Sequence, residues 1–133
     1  MLSLFPQLLD FQFFGPLLLR IVLGVIFIVH GYPKLFKSFG ATTQFFESIG
    51  IKPAKFWVLV VGLTEFLGGI FLVAGFLVQA VAILATINMF VAIWKVKRKQ
   101  GFYGGYEFEL TLLVIALSLL ILGPGAYAID LPL

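Results

Sequence analysis

Five side chains with chemical potential interrupt otherwise apolar runs of this chain: Arg20, His30, Glu65, Asn88 and Glu107. At the centre of a membrane-crossing helix an ionisable residue costs roughly 2.5–3.5 kcal/mol on insertion scales, so it argues for a function or a buried partner. Helical spacing gives each of them a face. Arg20 shares a stripe with Gly24, Phe27 and Gly31, and Glu65 lies between Gly62 and Gly69. Asn88 aligns with Val81, Ala85 and Ala92, and Glu107 with Thr111, Val114 and Ser118. One small or polar face per helix predicts that all four faces turn inward and leave Leu, Ile, Val and Phe to lipid.

Depth groups these residues further. At ~1.5 Å per residue, Glu65 falls on the order of 13 Å from its helix end, and His30 and Asn88 roughly 9–11 Å deep. Glu107 sits close to the same boundary. Glu65, His30, Asn88 and Glu107 are therefore expected to converge in one half of the bundle. Arg20 belongs to the other half, nearer Asp10 and Asp130, either reaching toward Glu65 or snorkelling outward.

Such a cluster suits proton relay or the binding of a polar head group. Glu65 is the first candidate, being mid-span with no basic residue near it on its own helix. His30 and Glu107 would assist, with Arg20 balancing charge. The structural alternative stays open: a lone histidine is more often a hydrogen-bonding core residue, and buried charges can simply pin helix register. Glu109, on the face opposite Glu107, reads as a head-group-level carboxylate.

Other chemistries fit poorly. The chain has no cysteine, which excludes disulfides, thiolate metal sites and a thiol nucleophile. One histidine cannot supply both axial ligands of a haem within a single chain. His30, Glu65 and Glu107 do not follow a metal-ligand spacing, so no metal site is expected. No residue is assigned a catalytic role. The net charge of +3 comes from basic residues at the ends of apolar runs, which speaks for membrane topology and against nucleic-acid binding.

The elements that must position these groups are membrane helices. Of 133 residues, 62% are hydrophobic and 11% charged, against about 25% charged in a soluble domain. The pattern predicts an all-α, integral membrane four-helix bundle forming a single domain over 1–133, with approximate spans 16–36, 56–75, 78–94 and 105–122. Pro16, Pro53 and Gly123–Pro124–Gly125 punctuate the spans. The second and third spans are too long together for one crossing and must form a hairpin through Gly75. The first loop predicts an interfacial helix capped by Thr42 or Thr43, with Phe45, Phe46 and Ile49 on its apolar side and Gly50 ending it. The opening residues lack the basic region and cleavage site of a signal peptide. Phe5, Leu8, Leu9, Phe11, Phe13 and Phe14 suggest a segment in the membrane interface, with Asp10 and Gln12 toward head groups.

Lys34, Lys37, Lys52 and Lys55 flank the first loop, and Lys95, Lys97, Arg98 and Lys99 the third. The positive-inside rule predicts that loops 37–55 and 95–104 are cytoplasmic and both termini outside, in a plasma (inner) membrane protein. Tyr32, Trp57, Trp94, Tyr103 and Tyr106 fall at the same boundary as an aromatic belt.

Several runs resemble the DoxX family: Leu19-Arg20-Ile21, His30-Gly31-Tyr32-Pro33-Lys34-Leu35, and Gly62-Leu63-Thr64-Glu65-Phe66-Leu67-Gly68-Gly69. So do Gly105-Tyr106-Glu107-Phe108-Glu109-Leu110 and Gly123-Pro124-Gly125-Ala126-Tyr127-Ala128-Ile129-Asp130. The resemblance implies a four-helix membrane subunit, similar to components of thiosulfate:quinone oxidoreductase, of a terminal quinol oxidase and of oxidative-stress complexes. It carries over Arg20, His30, Gly31, Lys34, Glu65, Gly69, Glu107 and Asp130 as recurrent positions. The expected role is an accessory component of a quinone-linked redox complex, with no intrinsic cofactor, a quinone as ligand and a redox protein as partner. It would be an oxidoreductase subunit, not a self-sufficient enzyme. The competing expectation is a non-enzymatic scaffold or small-molecule carrier; transport would require a homo-oligomer, since four short helices leave little room for an aqueous path.

Overall fold

The computed structural model describes residues 3–130; Met1, Leu2 and residues 131–133, the extreme ends of the predicted outside termini, lie outside the described residues. Those described are helical with no strand. A short 3₁₀ turn, Pro6–Phe11, precedes α1 (Phe14–Phe36). There follow α2 (Phe39–Ser48), α3 (Ala54–Ala74), α4 (Val78–Ala92) and α5 (Glu107–Leu122). Among the described residues four helical stretches are long and apolar enough to cross a membrane: Phe14–Phe36, Ala54–Ala74, Val78–Gln100 and Phe102–Leu122. The third extends past α4 through a wider turn at Ile93–Lys97 and a tight one at Arg98–Gln100. The fourth begins with a kinked turn at Phe102–Tyr106, broken where Tyr103 and Gly104 leave helical geometry.

The spans form a ring in the order α1, α3, α4, α5, with the tightest packing between α1 and α3 and between α4 and α5. Glycines set the α1–α3 distance. A Cβ built on Gly24 would lie 2.7 Å from the Gly69 carbonyl oxygen, and one on Gly31 would lie 2.5 Å from the Phe66 amide nitrogen. Such close backbones maximise dispersion contact where lipid supplies no hydrophobic drive between helices. The core between the spans is apolar: Leu23 and Phe27 of α1, Leu72 of α3, Val81, Ala82 and Ala85 of α4, and Leu112, Ala116 and Leu119 of α5.

One end of the bundle, the hairpin end, holds the α3–α4 turn and the last described residues. Gly75 takes φ +77°, letting the Phe76 amide return to the Phe71 carbonyl at 2.8 Å and stop α3. The opposite end, the loop end, holds α2 and residues 93–106. Here α2 starts earlier than the sequence suggests. Thr42 and Thr43 do not cap it; their hydroxyls donate to the Ser38 and Phe39 carbonyls at 2.8 Å each, from within the helix. Gly50, at φ +82°, follows its end.

Candidate functional site

The five sequence candidates do not form one cluster. Arg20 is fully buried at the hairpin end, on the inner face of α1. Its Nε donates to the Pro124 carbonyl at 3.2 Å, and one terminal nitrogen donates to the carbonyls of Ala126 at 2.7 Å and Tyr127 at 2.6 Å. It neither snorkels outward nor reaches Glu65; its charge is spent on tying the segment after α5 to the bundle. Asp130 completes that tie. Its carboxylate accepts the Leu77 and Val78 amides at 2.7 and 2.8 Å, capping α4, and its own amide donates to Gly75 at 2.8 Å.

His30 faces outward from α1. Its Nδ1 lies 2.8 Å from the Ile26 carbonyl and its ring packs on Phe108 at 5.9 Å. The polar stripe of α5 also turns away from the core. Thr111 and Val114 are exposed, while the buried face runs through Leu112, Ala116 and Leu119. The reason is local satisfaction: Thr111 and Ser118 donate to the carbonyls four residues earlier at 2.8 Å, so their hydroxyls need no partner across the bundle. Glu107, half-buried at the start of α5, lines no part of the cavity between α3 and α4. Glu109, on the same first turn, has a side chain 13% exposed and 3.6 Å from Lys97.

Glu65 and Asn88 do share a place. Between the loop-end halves of α3 and α4, beneath α2, lies a cavity of about 780 Å³. Val60, Val61 and Thr64 of α3, Leu84 and Ile87 of α4, and Phe45 and Phe46 of α2 are among its walls. It opens sideways, since its lining residues Trp57, Leu84 and Ile87 remain 41%, 49% and 54% exposed. The α3–α4 packing is thin; near the hairpin the two helices touch at Gly68 and Val81.

Glu65 is not an unpaired carboxyl. Lys34 donates from Nζ to both of its oxygens, at 2.6 and 2.8 Å, closing a two-pronged ion pair at the cavity wall. Lys34 stands in the last turn of α1, but helical side chains tilt toward their N-terminus, so its stem runs back into the bundle. Gly62 gives the neighbouring turn room: a Cβ there would lie 2.6 Å from Leu35 and 3.7 Å from the Lys34 Cβ. The register is offset from a direct match of the glycine pairs: Gly31 packs on Glu65 and Phe66, and Gly62 on Leu35, which sets Lys34 against the Gly62–Glu65 stretch. Asn88 is the unsatisfied member. Its Nδ2 is buried without a hydrogen-bond partner. Among the described residues no three His, Asp or Glu side chains group as metal ligands.

Comparison with known proteins adds a family. The DoxX family profile matches residues 15–98. Similar proteins include "Putative oxidoreductase CatD" of Bacillus subtilis, 37% identical over 116 residues, covering 87% of this chain and 84% of the relative. "Inner membrane protein YqjF" of Escherichia coli is 31% identical over 87% of this chain and 89% of its own. An uncharacterized membrane protein of Mycobacterium tuberculosis, Rv3486, is 28% identical over 94% and 85% respectively. No solved structure matches the chain.

Proposed function

The chain belongs to the DoxX family of multi-pass membrane proteins, and from that premise we propose that it binds an isoprenoid quinone beneath α2 as the accessory subunit of a quinone-linked redox complex. The observation that carries the reading is the cavity itself: apolar walls open sideways between α3 and α4, with Lys34, Glu65 and Asn88 as its polar wall. A lipid-soluble molecule with a polar head suits such a site, because the tail stays in hydrocarbon while few buried groups orient the head. Lys34 and Glu65 would hold a charged, hydrogen-bonding wall beside it. A bound quinone supplies the two-electron redox chemistry; the residues supply binding and orientation, and the electrons come from a partner protein. The name of the Bacillus relative points the same way.

The proposed setting is the plasma (inner) membrane, with the loop end cytoplasmic and the hairpin end outside, as the basic residues flanking α2 and Lys95–Lys99 favour. The test is purification from native membranes in mild detergent, followed by solvent extraction and mass analysis. A near-stoichiometric quinone with a co-purifying redox protein supports the reading, and an empty, solitary protein overturns it.

A second reading has its own support. Arg20 is bonded to backbone carbonyls and Glu65 to Lys34, so the buried charges already serve the fold. A scaffold or carrier without redox function would purify with an apolar lipid in place of a quinone, or with nothing.

A further inference from the structure

We propose that two copies of this chain pair through the outer face of α1 and α5, with His30 of each copy hydrogen-bonded to Glu107 of the other. The spans close a ring in the order α1, α3, α4, α5, so the α1–α5 seam lies across the bundle from the cavity. On this seam the polar groups turn away from the core. His30 is exposed roughly 9 Å inside the loop end of α1, counted back from Phe36 at ~1.5 Å per residue. Its Nδ1 lies 2.8 Å from the Ile26 carbonyl. A carbonyl only accepts, so Nδ1 carries the proton and Nε2 is left for a further partner. Among the described residues the Glu107 carboxylate joins no ion pair, and its oxygens are not among the sealed, unpartnered atoms of the fold, so they remain accessible.

Ionisable side chains inside membrane spans almost always face a protein interior or pair with one another. Here the interior is already closed behind them by Leu23 and Phe27 of α1 and Leu112 of α5. This face becomes an interior only when another span covers it. A second copy suits it because the face is complementary to itself. Two copies of like orientation in one bilayer are related by a two-fold axis along the membrane normal, which keeps every residue at its own depth. Residues that pair reciprocally across such an axis must therefore share a level. His30 and Glu107 do, since the ring of Phe108, next to Glu107, lies 5.9 Å from the His30 ring. Imidazole with a carboxylic acid, or imidazolium with a carboxylate, needs one proton between the two groups, so the contact closes either way. Val22, Val29 and Val114, 52%, 62% and 51% exposed, give the apolar surface around it. The pairing leaves the opening between α3 and α4 toward lipid and stands whether or not the cavity takes a quinone.

The experiment uses the full chain in cell membranes, where the absence of cysteine lets one introduced thiol report alone. Thr111→Cys and Val114→Cys sit on exposed positions of this face, and Leu63→Cys on α3, 39% exposed, is the control. Oxidation with copper phenanthroline should give the first two a disulfide-linked band at twice the chain mass and the control a faint one. In the Thr111→Cys background, His30→Leu and Glu107→Leu should each weaken that band about fivefold, the range of one hydrogen bond between membrane helices. Leucine suits a lipid-facing position, so both variants should keep the parent's level in the membrane. The swapped variant, His30→Glu with Glu107→His, should restore the band. Equal bands from all three cysteines show chance encounter and overturn the proposal, as does no band at all. A band of another mass puts a different protein on this face and overturns the second copy. A band left unchanged by both leucine variants, or lost and not restored by the swap, overturns the His30–Glu107 contact.

Discussion

Lys34 and Glu65, thirty-one positions apart, close a two-pronged ion pair at 2.6 and 2.8 Å across the α1–α3 seam. The pair is unequal: the Glu65 side chain is 5% exposed, that of Lys34 28%. Lys34 also lies at the loop end of its helix, where a released ammonium can turn toward water. Glu65 has no such escape.

Removing the two partners should therefore cost different amounts. Lys34→Met leaves a carboxylate stranded inside the bundle, and a loss of about 2–3 kcal/mol is expected, below the figure for a fully buried pair because Lys34 is partly solvated. Glu65→Gln leaves a lysine that can relax outward and should cost less. The double variant Lys34→Met with Glu65→Leu should recover much of the loss. Thermal unfolding of the three variants in detergent checks the order, and equal melting temperatures for the single variants would contradict it.

The glycine seam sets the distance over which this pair can meet. Gly31→Ala would drive a methyl group to 2.5 Å from the Phe66 amide nitrogen and 2.9 Å from the Glu65 Cβ, both fixed by α3. A loss of about 1–3 kcal/mol is expected, as for other overpacked contacts. Gly40→Ala on α2 meets nothing within 4 Å and should hold or slightly raise stability, since alanine is the better helix former. Unfolding midpoints of the two variants measured side by side decide this.

At the hairpin end, Arg20 and Asp130 hold the segment after α5. Arg20→Met removes all three donations to Pro124, Ala126 and Tyr127 and leaves their carbonyls to find water. The segment from Gly123 to Asp130 should then open, read as faster proteolysis near Tyr127 in nanodiscs. Asp130→Asn weakens the cap on Leu77 and Val78, with a smaller expected cost of about 1 kcal/mol. Proteolysis of Arg20→Met at the parent's rate would show that the clamp is not what holds the segment.

The four-helix architecture was legible because apolar run length and proline and glycine punctuation are local properties that lipid enforces. The inward faces of α1 and α3 were legible for a related reason, since Gly24, Gly31, Gly62 and Gly69 mark close approach. The α5 stripe misled because a hydroxyl can satisfy itself on its own helix, as Thr111 and Ser118 do. His30 misled in the same way, with Ile26 as its partner. The Lys34–Glu65 pair was hidden by treating Lys34 as a topology signal, though its side chain points back into the membrane. Pairing across helices depends on register, which composition and spacing within one helix do not supply.

Orientation in the membrane rests on the basic residues at the loop end, and the absence of cysteine from the chain makes it directly measurable. Single cysteines can be placed at exposed positions whose neighbours will tolerate them. Gly40→Cys on α2 has nothing within 4 Å of its Cβ, and Tyr127→Cys replaces a residue 82% exposed at the hairpin end. In intact cells a membrane-impermeant maleimide should label the Tyr127→Cys protein and leave the Gly40→Cys protein unlabelled until the membrane is opened. Eight of the nine Lys and Arg residues flank the two loops at one end, Arg20 being the exception, and retaining that many positive charges on the cytoplasmic side is what orients the bundle. The reverse labelling pattern would invert the proposed topology, and would place the mouth beneath α2, with the Lys34–Glu65 pair, on the outer side of the membrane.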